Sequence, residues 1–259
     1  MNHGTEAAGP RPAPPDFIVG VDLGQIRDYT AVVVLERRER PAPGQLIPGP
    51  PSFVEQVGLA PRPPVQMEAA YAARWIERLP LDTPYPDQVR HVTDLVRRLR
   101  ETMDRVHPGR LAVVLDATGA GLPVSDMFRQ ADLSDARLVP VTITGGDTAH
   151  PDGRGGWRVP KRGLVGVVQV LLQTKRLRVA ASLPAAATLE AELRGFRATI
   201  TPTGHDQYAA GETWRSALHD DLVLALAVAA WYSEHAMAGW PAAMSEALER
   251  AMSWQSRPE

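Results

Sequence analysis

Four aspartates stand at the borders of apolar segments: Asp22 follows VGV, Asp116 ends LAVVLD, and Asp220 and Asp221 open the run HDDLVLALAVAAW. Aspartate is disfavoured inside a sheet, and the strand ends of α/β sheets are where sites collect. A chemistry-free account exists for each. Asp22 and Asp116 could be turn residues that cap their own backbone, and an acid in a first helical turn is stabilised by the helix dipole. The dipole accounts for one of the adjacent pair. Two acids beside His219, heading a helix that is apolar on nearly every face, ask for more, because such a helix is buried and its start lies near the core. Gathered together, the four would form a cluster with no cationic residue beside any of them in the chain, and such a cluster repels itself until a cation neutralises it. A purely oxygen donor set selects hard divalent ions, Mg2+ or Mn2+, over zinc. Two such ions roughly 3.5 to 4 Å apart activate a water and stabilise the departing oxygen of a phosphodiester.

For these acids to meet, the elements that carry them must share one sheet. Phe17 to Val21 and Thr30 to Leu35 flank the turn residues Gly24 to Asp28 and predict a hairpin; Gly24 suits a close approach by a ligand or by backbone. Phe53 to Leu59, bordered by prolines, predicts an edge strand. Met67 to Leu79 fits a helix by its alanines and a strand by the alternation of Tyr71, Ala73, Trp75 and Leu79. After Pro84 and Pro86, the face Val89, Val92, Leu95, Val96 and Leu99 predicts an amphipathic helix.

Leu111 to Leu115 predicts a strand, followed by the turn ATGAG and a helix opened by Pro123. Leu138 to Ile143 predicts another strand and 145–156 a loop. A helix from Pro160 to about Thr174, a strand at Leu177 to Val179 and a helix ending at Phe196 follow. Arg197 to Thr201 and Gln207 to Ala210 read as a hairpin-like pair, and a last helix runs from His219 to about Ser233. Strands first, then strands alternating with helices, predict one α/β domain over 16–236 with a mixed sheet flanked by helices. A disordered Pro- and Ala-rich lead at 1–15 and a loose tail at 237–259 are expected on either side.

The order VGVDLG, VVLDATGAG, VPKRGLVGVVQVLLQTKRL and HDDLVLALA resembles the nuclease domain of phage terminase large subunits. The resemblance spans roughly residues 16 to 235, and its last two segments are the most specific. It implies a ribonuclease H-like fold, as in Holliday-junction resolvases, with antiparallel first, second and third strands and parallel later ones. It implies that Asp22, Asp116, Asp220 and Asp221 are catalytic metal ligands for two ions, and that the substrate is double-stranded DNA cut with little sequence preference. It favours a strand at Met67 to Leu79 and sets a hairpin at 196–210 beside the DNA channel. It also implies a bacterial host cytoplasm. The chain carries no GxxxxGK[ST] phosphate-binding loop, so it is not itself a complete packaging motor; a split nuclease subunit, a prophage remnant and a domain excised from something longer all fit, with a separate packaging ATPase, small terminase or portal protein as expected partners.

Composition narrows the field. The 259 residues are 44% hydrophobic, enough for a core, and hold no cysteine, which excludes disulfides and thiolate zinc sites. No apolar run approaches the roughly 20 residues that cross a bilayer, so a soluble, non-secreted protein is expected. A net charge of -2 argues against bulk attraction to nucleic acid, and DNA contact would need a local basic patch. Lys161 and Arg162 at a helix start, with Lys175, Arg176 and Arg178 beyond it, are candidates, and solvated surface charge explains each equally well. His219 could orient a water or bind metal, or cap the helix; Asp28 could be an outer-shell acid or a turn residue. Two rivals remain: an actin-like-fold sugar kinase or ATPase fragment, since VGVDLG also resembles the phosphate hairpin of that fold, and a non-catalytic ribonuclease H-like scaffold that binds DNA or portal protein.

Overall fold

A computed structural model describes residues 13–45, 65–103, 109–119, 121–196 and 220–237. The expected first hairpin forms: β1 (Asp16–Asp22) pairs antiparallel with β2 (Ala31–Pro41), and β2 pairs antiparallel with β3 (Met67–Arg78). Met67 to Arg78 is thus a strand, the reading its alternation allowed, whereas the edge strand expected at Phe53 to Leu59 lies outside the described residues. β4 (Leu111–Asp116) lies parallel to β1 on its other side, and β5 (Arg137–Thr144) parallel to β4. Two short strands extend that edge: β7 (Trp157–Pro160) runs parallel to β5, and β6 (His150–Pro151) antiparallel to β7. β8 (Leu177–Val179) joins the far edge, parallel to β3. The eight strands lie in the order β6-β7-β5-β4-β1-β2-β3-β8. This is the ribonuclease H-like arrangement, an antiparallel β1-β2-β3 half joined through β1 to a parallel half.

β6 corrects the expectation of loop over 145–156, and β7 begins just after it. His150–Pro151 and Trp157–Pro160 are too short to show alternation; the edge of β5 makes β7 a strand, and β7 in turn pairs β6.

Side-chain alternation divides the sheet into two faces. Val19, Val21, Val113 and Leu115 face α1 (Tyr85–Thr102) and α2 (Gly121–Gln130), meeting Val92, Val96, Val124 and Phe128. Ile18, Val33, Ala112 and Val114 face the other way, toward α3 (Lys161–Gln173), α4 (Ala186–Phe196) and α5 (Asp221–His235). Helix α5 is the centre of that layer. Every residue from Asp221 to Ser233 is buried, as its uniformly apolar sequence requires. Burying side chains such as Leu222, Val223 and Leu226, each 0% exposed, contributes about 1.5–3 kcal/mol apiece, so the helix start is held in place by the core. No helix among the described residues is long and apolar enough to cross a membrane.

Candidate functional site

Asp22 and Asp116 are register partners in the parallel pair β1 and β4. Each follows, two residues on, a position facing α5: Gly20 before Asp22, and Val114 before Asp116. With the period of two along a strand, both carboxylates emerge on the α5 face, at the carboxyl ends of neighbouring parallel strands. The chain leaves β1 toward β2 and leaves β4 toward β5, so the two acids flank the point where the sheet reverses direction of growth. Such a crevice is where open α/β sheets bind ligands.

Gly20 brings the third element down onto the first two. A Cβ there would lie 1.9 Å from the carbonyl oxygen of Ala225, so only glycine allows α5 to cross β1 this closely. Asp221 is one helical turn before Ala225, which brings the acids of the helix start to the strand tips. Asp22, Asp28, Asp220 and Asp221 accordingly line one cleft of about 150 Å³, together with Tyr85 and Leu224. Asp28, expected as an auxiliary acid or a turn residue, lines this cleft, and His219 and the hairpin expected at 196–210 fall outside the described residues, save Phe196, which ends α4.

Asp116 is not among the residues that line this cleft, and its carboxylate serves its own turn. Its Oδ1 accepts the backbone N–H of Thr118 at 2.8 Å and the Thr118 hydroxyl at 2.5 Å, and Thr118 Oγ1 accepts the Ile143 N–H at 2.8 Å. The turn reading and the site reading are compatible for this residue. At Gly24 backbone approaches closely: a Cβ there would stand 2.1 Å from the Asp28 carbonyl oxygen, and the same glycine lines the cleft. The loop is closed by mutual bonds between Gly24 and Thr30, and by Gln88 Nε2, which donates to Gly24 O at 2.8 Å.

Asp220 occupies the N-cap of α5 but makes no side-chain capping bond. The capping bond comes from a residue not expected at the site: Glu192 of α4 accepts the Val223 N–H at 3.0 Å. Glu192 is only 4% exposed. Burial pushes its carboxyl up to about 7, with Asp221 and Asp220 adding to the rise, against the Val223 N–H and Arg78, which hold it down. The sign available in the sequence was an acid one turn after the buried Leu189, on the apolar face of its helix.

The absence of cations from the cluster, expected from chain neighbours, is corrected by the fold. Arg78 Nη2 lies 2.5 Å from Glu192 Oε1 and 3.5 Å from Asp221 Oδ2, and Lys161 Nζ lies 3.5 Å from Asp220 Oδ2. Arg78 reaches the site because of a bulge. The β2–β3 register shifts between Val34 and Leu35, leaving Arg74 as an extra residue, so burial alternates on Ala69, Tyr71 and Ala73 and then on Ile76. The one-residue shift turns Arg78 to the same face as Asp22. Among the described residues, no group of three or more His, Asp or Glu side chains is close enough to hold a metal ion. The donor chemistry of the four aspartates fits a hard divalent ion, and the helix acids each have a cationic neighbour.

The candidate DNA contacts split into two places. Lys161 and Arg162 start α3 beside the acids; Arg162 donates to the Asp147 carbonyl at 3.1 Å and pairs with its carboxylate at 2.6 Å. Lys175 and Arg176 lie past the other end of α3, about 20 Å along the helix. Lys175 has φ +55, the left-handed conformation that ends a helix. Arg176 is turned inward: it bonds both carboxylate oxygens of Glu234, at 3.0 and 2.6 Å, and the Ala69 carbonyl at 2.6 Å. Arg178, in β8, is exposed.

No protein-family model and no curated protein matches the chain. Among solved structures, it is similar to the large terminase nuclease from thermophilic phage G20c, at 19% identity over 85% of this chain and 82% of that one, with a TM-score of 0.44. It is also similar to the human cytomegalovirus terminase nuclease domain in a manganese-soaked form, at 11% identity over 85% of each chain, with a TM-score of 0.47. A further structure of that viral domain gives 11% identity over 84% of this chain and 82% of that one, with a TM-score of 0.44. The strand order and directions of this chain are by themselves ribonuclease H-like.

Proposed function

We propose that this chain is a divalent-metal-dependent endonuclease acting on double-stranded DNA with little sequence preference, of the kind used in phage DNA packaging. The observation that carries the reading is the register partnership of Asp22 and Asp116 on the face where α5 begins with Asp220 and Asp221. Asp22 and Asp116 would hold one Mg2+ or Mn2+ ion, and Asp220 or Asp221 would complete the site of a second. Such ions, when bound, supply an activated water and positive charge for the departing oxygen. The protein supplies the rest: β1 and β4 present two carboxylates side by side, the buried helix α5 brings the others, and Lys161 and Arg162 offer charge to a phosphate backbone at the same end of the sheet. The structures to which the chain is similar are named as terminase nucleases, which agrees with this reading. Its working partners would be a packaging ATPase, small terminase or portal protein.

Arg78 and Lys161, which already neutralise part of the helix acids, favour a second reading, a scaffold that binds DNA or portal protein without cutting. One assay separates the two. Asp116→Asn keeps an acceptor for Thr118 while removing the charge, so plasmid nicking in Mn2+ should be abolished with the fold retained by circular dichroism. Nicking at the wild-type rate removes the mechanism, and a wild type that binds DNA without nicking it supports the scaffold.

A further inference from the structure

The start of α5 is held from outside the helix. Glu192 contributes both oxygens to this: Oε2 accepts the Val223 N–H at 3.0 Å, and Oε1 accepts from Arg78 Nη2 at 2.5 Å. The same Arg78 nitrogen is 3.5 Å from Asp221 Oδ2, and the guanidinium also lies over the Tyr29 ring, 4.9 Å from its centre. Tyr29 belongs to the loop that follows β1 and carries Asp28. Arg78 therefore joins three parts of the site: the loop after β1, helix α4 through Glu192, and the first turn of α5. Its own position depends on the bulge at Arg74, without which its side chain would leave from the opposite face of the sheet.

We propose that Arg78 and Glu192 are positioning residues: together they fix the first turn of α5 and orient the Asp221 carboxylate in the cleft it shares with Asp22. The proposal rests on the reading of these aspartates as metal ligands, toward which Arg78 and Glu192 act as the outer support. Partners of this kind, which orient a ligand without touching the ion, typically change metal affinity by about 10–100-fold when removed. A capping bond donated across elements also couples α4 to α5, so that the helix start moves only if Glu192 moves with it.

Two measurements on the full chain test this, using Glu192→Gln, Arg78→Lys and Arg78→Met. The first needs no metal: amide hydrogen exchange of Leu222, Val223 and Leu224 is read by NMR. Glu192→Gln and Arg78→Met should speed exchange in this first turn by at least about tenfold while Val113 and Val114, in the sheet centre, stay protected. The second is Mn2+ binding, read from the electron paramagnetic resonance of the free ion. Affinity should fall by about 10–100-fold in Glu192→Gln and Arg78→Met and recover in part in Arg78→Lys. A general loss of packing would not be rescued by lysine.

Unchanged exchange in the first turn of α5 in both Glu192→Gln and Arg78→Met overturns the proposal. So does a rise in Mn2+ affinity in Arg78→Met, which would make Arg78 a competitor of the ion. If wild type binds no Mn2+, the metal reading of the aspartates fails, and the exchange result alone decides whether the clamp exists. Should Glu192→Gln fail to fold, Arg78→Lys carries both measurements: slower exchange than in Arg78→Met supports the clamp, and equal or faster exchange contradicts it.

Discussion

Gly20 of β1 and Ala225 of α5 meet so closely that a single added methyl group would strike the helix backbone. That contact sets the height of α5 above the sheet, and with it the separation between Asp221 and the strand-tip acids Asp22 and Asp116. Packing and site geometry are here one constraint.

Gly20→Ala should therefore damage both. Overpacking of a well-filled core typically costs about 1–3 kcal/mol, and backbone rather than a flexible side chain must yield here. The expected result is a lower Tm by differential scanning calorimetry, with loss of Mn2+-dependent nicking even at temperatures where the variant is folded. A variant as stable and active as wild type would show that α5 rides higher than described.

Asp22→Asn separates repulsion from metal binding. Asp22 and Asp116 are neighbours in register, and two like charges so placed destabilise the metal-free protein. The metal-free variant should match or exceed the wild-type Tm. Mn2+ should stabilise the wild type by mass action, by about 2.7 kcal/mol at a hundred times Kd, and so raise its Tm, and should leave the variant unmoved. An equal Mn2+-induced rise in both proteins would place the ion elsewhere.

The two ends of α3 should behave differently toward DNA. Removing Lys161 or Arg162 should weaken binding of a duplex evenly across sequences and reduce the salt slope by about 1. Arg176→Ala should instead lower the Tm, because it removes the donor to the Ala69 carbonyl and leaves Glu234 with the Tyr71 hydroxyl in place of its two guanidinium bonds, and should leave the salt slope of the folded protein unchanged. Fluorescence anisotropy against salt concentration reads both. A reduced slope in Arg176→Ala would return that residue to the DNA-contacting surface.

His91 supplies a pH dependence remote from the acids. Its Nε2 is 2.5 Å from Glu77 Oε1, and this hydrogen bond raises the imidazole above its usual range. A group whose folded pKa is raised stabilises fully below its unfolded value, near 6.5, and the contribution fades as pH climbs through the folded value. The stability gap between wild type and His91→Gln should therefore be larger at pH 6 than at pH 8.5, as measured by urea unfolding. A gap that widens with pH would have the wrong sign for this pair.

Local pattern determined much of this protein. Asp22 and Asp116 stand at strand ends because the apolar runs before them end there, α5 is buried because no face of its sequence is polar, and Pro160 starts α3. These properties depend on residues a few positions apart, which periodicity reports. Tertiary structure alone decided which strands lie side by side, and so that Asp22 faces Asp116 across one strand spacing. It also decided the company of the acids. Arg78 arrives through a one-residue bulge that reverses the side-chain phase of β3, Glu192 arrives from a helix whose docking no local signal describes, and the basic run of α3 is divided because a helix places its two ends far apart. Pairing, phase and docking are long-range choices among packed surfaces, made by the burial of whole faces rather than by the residues that do the chemistry.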